Sequence, residues 1–280
     1  MKNGILLYAA MSVVLVLLMI YILADVLRRD TQPPQILLDE DEITVSVHDP
    51  KEVLLQGVTA RDEKDGDLTG VLVIESVYGI GEDGRATVKY AVADRAGSVT
   101  KAERTVVYRD YTSPRLELTG ALVFEYGTPF DVLDYVRASD LFEGDISRRI
   151  KTTLLSDGTS VGELGVHDVQ FRVTNAMGDT YHLTMPVEVY PVGAYNAALQ
   201  LREYLVVLPV GAEFDARDYA LQMQVQKKSI DLDDWDVQLQ MRGEVDTQTP
   251  GVYSVTYLAE CWRDGYLYTG YSRLVVVVEE

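Results

Sequence analysis

Beyond residue 30 the chain alternates. Short segments rich in Val, Thr and Tyr run apolar, polar, apolar: ITVSVH (43–48), ATVKYAV (86–92), DVQFRVT (168–174), VYSVTYLA (252–259) and RLVVVV (273–278). A period of two puts every second side chain on one face, so each segment predicts a strand with one face buried. Asp83-Gly84, Asp157-Gly158 and Pro250-Gly251 supply turn signals between them. No long stretch carries a 3.6-residue period, and residues 31–280 read as all-β.

The first 30 residues follow another pattern. Residues 5–24, ILLYAAMSVVLVLLMIYILA, form a run without a charge. At about 1.5 Å per residue, a helix of that length matches the roughly 30 Å hydrocarbon core of a bilayer. No small-x-small cleavage site follows the run, which separates it from a signal peptide. The pattern predicts a cytoplasmic end over 1–4, a transmembrane helix over 5–27, and a stalk over 28–35 stiffened by Pro33-Pro34. Positive charges on the two sides nearly balance, so the long following segment sets orientation. The expectation is a single-pass plasma-membrane protein with a cytoplasmic amino terminus and extracellular carboxyl-terminal modules.

The alternating part repeats. Gly84 precedes Tyr90 by six residues, Gly165 precedes Phe171 by six, and Gly251 precedes Tyr257 by six. Asp94, Asn175 and Cys261 follow four residues past each aromatic, and each unit closes on a last strand: RTVVY, MPVEVY or RLVVVV. The aromatics are 81 and 86 residues apart, a spacing that suits a small β-sandwich. Proline-bearing junctions divide the modules into 36–109, 110–191 and 192–280. An acidic loop repeats once: ARDEKDGDLT (60–69) has its counterpart in ASDLFEGDIS (138–147), and the third copy loses this glycine turn.

DEKDGDLTGVL (62–72), YAVADRAGSVTKAERTVVY (90–108), DYTSPRLELTG (110–120) and GEVDTQTPGVYSVTY (243–257) resemble the bacterial immunoglobulin-like repeats of Gram-positive surface proteins, also found beside insecticidal crystal toxins. The resemblance covers about residues 36–280 and is weakest in the first half of the third copy. It implies three tandem immunoglobulin- or cadherin-like sandwiches in a cell-surface setting, without catalytic activity. Cys261 departs from it, standing where the family usually has Asp.

Charge narrows the partners. The chain has 44 acidic and 25 basic residues and a net charge of −19, which repels nucleic acid and anionic lipid. One cysteine, Cys261, excludes an internal disulfide and reads as a buried, inert thiol. No phosphate-binding glycine loop, nucleophile elbow or His-Glu-x-x-His helix occurs, and His48, His167 and His182 are scattered. The reading is therefore not an enzyme.

Two features carry candidate chemistry. If the acidic turn and the Asp94 turn share one end of the sandwich, Asp62, Asp65, Asp67 and Asp94 converge in the first copy, and Asp140, Glu143, Asp145 and Asn175 in the second. Calcium takes six to eight oxygens from such groups; alternatively, the acids bond their own backbone in Asx turns. The second feature is the hairpin WRDGYLYTGYSR, where Trp262, Tyr266, Tyr268 and Tyr271 form a candidate partner-binding surface; alternatively, they pad the terminal sandwich. The resulting expectation is a surface adhesion or envelope scaffold that binds a protein, with a glycan-binding module, calcium-assisted or not, as the alternative.

Overall fold

Every second residue of Arg85–Ala93 is buried: Ala86, Val88, Tyr90 and Val92 point inward. The same alternation recurs along the chain in a computed structural model that describes residues 11–23, 31–155 and 161–280. Residues 11–23 are helical and exposed. Among the described residues no helix is long and apolar enough to cross a membrane. The transmembrane segment expected over 5–27 therefore has no support from the structure, its remaining residues lying outside the described ones. The Asp157-Gly158 turn also lies outside them.

The remainder is β-structure in two compact units, Met1–Tyr111 and Thr112–Glu280. In the first unit, β1 (Gln35–Leu38), β3 (Val58–Asp62) and β4 (Gly66–Asp67) form one sheet in the order β1-β3-β4. Strands β2 (Glu42–Val45), β5 (Val73–Tyr78), β6 (Arg85–Ala93) and β7 (Val99–Tyr108) form the other in the order β2-β7-β6-β5. Strand β2 runs parallel to β7; the other pairs are antiparallel. Val58 and Ala60 from one sheet and Val88, Tyr90 and Val106 from the other are almost fully buried, each such aliphatic contributing about 1.5–3 kcal/mol. Gly84 enters β6 at φ +74°, and a Cβ there would stand 2.4 Å from the Tyr108 carbonyl oxygen. Only glycine satisfies both conditions.

The second unit repeats this order twice. Its first sandwich has β8 (Arg115–Leu118), β10 (Val136–Asp140) and β11 (Gly144–Asp145) in one sheet. Strands β9 (Val123–Glu125), β12 (Lys151–Leu154), β13 (Gly165–Thr174) and β14 (Thr180–Tyr190) form the other. The last seven strands are β15 (Ala197–Leu201), β16 (Leu205–Pro209), β17 (Ala220–Val225), β18 (Lys228–Ile230), β19 (Val237–Arg242), β20 (Gly251–Arg263) and β21 (Tyr266–Glu279). They keep the same pairings, but β15 also joins β21, so the two halves merge into one seven-stranded sheet. The third copy thus has all seven strands, including the part where its sequence departs from the repeat.

Residues 110–191 and 192–280, read from sequence as separate modules, meet through β21. Leu274 and Val276 lie in the core of the last sandwich. Val275 and Val277, on the opposite face of the same strand, pack into the core built around Phe171, Met185 and Val187. Arg115 reaches Glu279 at 2.6 Å, and the Tyr181 hydroxyl donates to Glu279 at 3.2 Å.

The repeated aromatics anchor each sandwich. Tyr90, Phe171 and Tyr257 are fully buried. The Tyr90 hydroxyl donates to the Leu54 carbonyl (2.6 Å) and that of Tyr257 to the Ala216 carbonyl (2.7 Å), each on a short 3-10 helix. Phe171 fills the same place without a hydroxyl.

Candidate functional site

The acidic loops are Asx turns tied to a neighbouring turn. Asp62, at the end of β3, accepts the backbone N–H groups of Lys64 (2.7 Å) and Asp65 (2.8 Å) through Oδ1. Asp65 Oδ2 accepts from Arg95 N (2.7 Å), with the Arg95 guanidinium 3.7 Å away. That bond brings the Gly66 turn and the Asp94 turn together at one end of the sandwich. Asp67 Oδ1 accepts from Thr69 N (2.9 Å), and Asp94 Oδ1 from Ser98 N (2.7 Å). Hydrogen bonding by the Thr69 side chain and N–H holds the Asp67 carboxyl below its usual range. Burial pushes the Asp94 carboxyl up, but hydrogen bonds from Ser98, Gly97 and Ala96 outweigh it and hold it low.

The second copy has the same wiring. Asp140 Oδ1 accepts from Phe142 N (2.9 Å) and Glu143 N (3.1 Å). Glu143 accepts from Ala176 N (2.6 Å) and takes both amino groups of Arg149, which chiefly holds its carboxyl low. Asp145 accepts from the Ser147 hydroxyl and N–H. Beyond the partner of Glu143, which is Arg149 where Asp65 has Arg95, the two copies differ in one buried pair. Asn175 Nδ2 donates to Asp140 Oδ2 at 3.0 Å, whereas Asp62 Oδ2 and Asp94 Oδ2 are both buried without a hydrogen-bond partner.

In the first copy, backbone amides thus take one oxygen from each of the four carboxylates. Among the described residues no group of three or more His, Cys, Asp or Glu side chains is arranged to hold a metal ion. The histidines are apart in role: His167 is buried with Nε2 2.8 Å from the Glu163 carbonyl, while His182 faces solvent.

The four aromatics of the last hairpin divide. Trp262 and Tyr266 are 64% and 68% exposed. Strand register places them on opposite faces, since Trp262 lies across from Leu267 and Arg263 from Tyr266. Tyr268 packs against the core, and Tyr271 stacks on Tyr195 with 4.7 Å between ring centroids while donating to Glu188. Tyr268 and Tyr271 are therefore packed against neighbours rather than projecting into solvent with Trp262 and Tyr266.

An unexpected aromatic lies beside them. Trp235 is 96% exposed, in the acidic segment before β19. Arg263 fastens this segment to the hairpin by bonding Asp234 (2.6 Å) and Asp236 (2.7 and 3.1 Å). The Arg263 hydrogen bond holds the Asp236 carboxyl at about 2, while burial, reinforced by Asp236, pushes the Cys261 thiol up. The signal for Trp235 was the run DLDDWDV (231–237), whose tryptophan has no alternating partner to pack it.

A separate open cleft of about 610 Å³ lies between the two sandwiches of the second unit. It is lined by Tyr135, Tyr190, Tyr195, Tyr204 and Tyr271 and by the amides of Asn196, Gln200 and Gln224.

No family model matches the chain, and no curated protein matches it. Solved structures do align. Drosophila N-cadherin EC1-4 is 12% identical over 90% of this chain and 76% of its own, with a TM-score of 0.23. The structure of CBM51-2 in complex with GlcNAc and INT domains from Clostridium perfringens ZmpB is 16% identical over 88% and 42%, TM-score 0.22. The protocadherin GammaB4 extracellular domain is 9% identical, TM-score 0.21; the alignment covers 89% of this chain and half of that one. At such scores these likenesses carry no argument.

Proposed function

We propose that this is a surface-binding protein of immunoglobulin-like sandwiches that engages a protein partner through the aromatic end of its second unit. The observation that carries the reading is the pair Trp235 and Trp262, both exposed on segments that Arg263 clasps together. Large exposed aromatics on a rigid support leave apolar surface in water unless something covers them, and such residues dominate binding energy at protein interfaces. The reading extends to the bacterial surface-repeat family, on the strength of the acidic-turn and Gly-aromatic motifs. It also includes a membrane anchor with the modules outside, supported by the uncharged run 5–24. It contains no catalytic step.

Beads coated with the full chain are expected to adhere to cell envelopes. Trp235→Ala/Trp262→Ala should reduce adhesion at least tenfold, about the loss of one hot-spot contact, with melting unchanged. Equal adhesion by the folded double variant would defeat the reading.

The tyrosine-lined cleft favours a second reading, a glycan site, because aromatic walls with amide side chains suit sugar rings. Binding on a glycan array that is lost in Tyr195→Ala but kept in Trp262→Ala would favour it over the first.

A further inference from the structure

One row on the outer face of the β12–β13–β14 sheet is basic, on a face that also carries Asp168 two rows away and on a chain that is otherwise acidic. Lys151 lies directly across from Arg172, and Arg172 across from His182, so one cross-strand row carries three basic side chains, all exposed. Arg148 and Arg149, on the turn that leads into β12, stand above the row. Together with Lys151, Arg172 and Thr174 they line a cleft of about 370 Å³.

The charges in this cleft are incompletely answered. Glu143 neutralises Arg149 through two hydrogen bonds of 2.7 and 2.5 Å. Arg148 lies near enough to Asp145 to help lower its carboxyl, after Ser147 and Arg137. Among the described residues, Lys151 and Arg172 form no ion pair or side-chain hydrogen bond. Directly opposed like charges destabilise a strand pair, so the arrangement costs stability in the free protein.

The fold does not require it. The acidic-loop repeat aligns Arg148, Arg149 and Lys151 with Gly70, Val71 and Val73 of the first unit. The pair Lys151–Arg172 then corresponds to Val73–Ala91, which occupies the same register. The remaining position of that row holds Lys101, which Glu75 neutralises. The equivalent strand pair of the first unit thus forms with neutral residues where the second unit has four cations.

We propose that this cleft binds a single phosphate group carried on a sugar-like, hydroxyl-bearing ligand. The guanidinium of Arg172 offers a planar fork for such a group, and Lys151 a point charge beside it. Thr153, Gln170 and Thr184 lie across from one another in the next outward row, and these hydroxyl and amide groups can pair with ligand hydroxyls. The chain's net charge of −19 disfavours an extended polyanion, which limits the ligand to one charged group seated among the cations. This site is separate from the aromatic end and does not depend on it.

Calorimetric titration of the full chain with glucose 6-phosphate, inorganic phosphate and glucose tests the proposal. Glucose 6-phosphate is expected to bind saturably, more tightly than phosphate and more weakly as salt rises, with glucose silent. Lys151→Thr/Arg172→Thr should weaken binding by about tenfold or more, the loss of at least one charge-assisted contact, and should raise the melting midpoint by removing the like-charge pair. Arg148→Ala, at an exposed position, should weaken binding as well. The proposal falls if glucose 6-phosphate shows no binding up to about 10 mM, below any useful affinity, or if the folded double variant binds equally. Equal affinity for phosphate and glucose 6-phosphate overturns the sugar-bearing ligand.

Discussion

Asn175 donates from Nδ2 to Asp140 Oδ2 at 3.0 Å, and the residue in the place of Asn175 in the first unit is Asp94. Two backbone ties are shared: the carboxylate at the strand end accepts two backbone amides, and the next acid reaches across to the neighbouring turn. Where the second unit has a donor facing a carboxylate, the first has two buried carboxylate oxygens without a partner. Asp94→Asn should therefore stabilise the first unit by about 1 kcal/mol or more, the value of a hydrogen bond to a charged group. Asn175→Asp should destabilise the second. Denaturant unfolding of the full chain checks both, and a loss of stability in Asp94→Asn would refute the equivalence.

The same wiring predicts how the loops respond to calcium. Asp62, Asp65, Asp67 and Asp94 each spend an oxygen on backbone N–H groups, while calcium needs six to eight oxygens. Melting in EDTA and in millimolar calcium is expected to give the same midpoint. A rise that disappears in Asp65→Asn would instead establish a calcium site, since a ligand of the folded state raises stability by mass action.

The third copy replaces the glycine turn with Gln226 and Lys227, at φ 46° and 69°. Val225 and Lys228 pair on either side, which makes this a two-residue hairpin of the kind that favours Asn-Gly. A non-glycine residue in the left-handed region costs about 1–2 kcal/mol. Lys227→Gly should raise stability by roughly 1 kcal/mol, read as a shift in the denaturant midpoint without a change in slope. An unchanged midpoint would show that the side chain compensates.

Removing the Tyr257 hydroxyl tests the anchor of the last sandwich. Tyr257→Phe keeps the buried ring but deprives the Ala216 carbonyl of its donor, and an unsatisfied buried acceptor costs about 1–3 kcal/mol. Phe171 shows that the position tolerates phenylalanine sterically. A melting midpoint equal to wild type would mean that water replaces the hydroxyl.

Acid should loosen the aromatic end. Arg263 holds the Asp236 carboxyl at about 2 in the folded chain, below the roughly 3.9 of an unfolded aspartate. A depressed folded value means that the contribution is complete above about pH 4 and is lost as pH falls toward about 2. Asp236→Asn should flatten part of the fall in melting midpoint across that window. The other depressed carboxyls, among them Asp67, Glu143 and Asp145, maintain the rest. An identical pH profile for the variant would remove Asp236 from this account.

Alternation alone located the strands, because a period of two admits few other structures once one face is buried. The six-residue step from glycine to aromatic marked where each central strand begins, and Tyr90, Phe171 and Tyr257 are fully buried. Within the acidic loops, residue types placed the turns, and only coordinates showed which oxygens the backbone had already taken.

The role of β21 illustrates the division further. The expectation of one buried face fails for RLVVVV, which is apolar without a break from Leu274 to Val278 and buried on both faces, as such a run requires. What Val275 and Val277 bury against, the core around Phe171, depends on a contact with residues about a hundred positions away, which local pattern does not encode. The same holds for Trp235, exposed because the acidic segment around it is clasped to Arg263, and for Lys151 and Arg172, opposed because two strands share a register. Local sequence determined which residues form strands and turns, through steric and hydrophobic preferences acting over a few positions. Tertiary structure decided which faces meet and which charges are left unanswered, because those depend on long-range pairing.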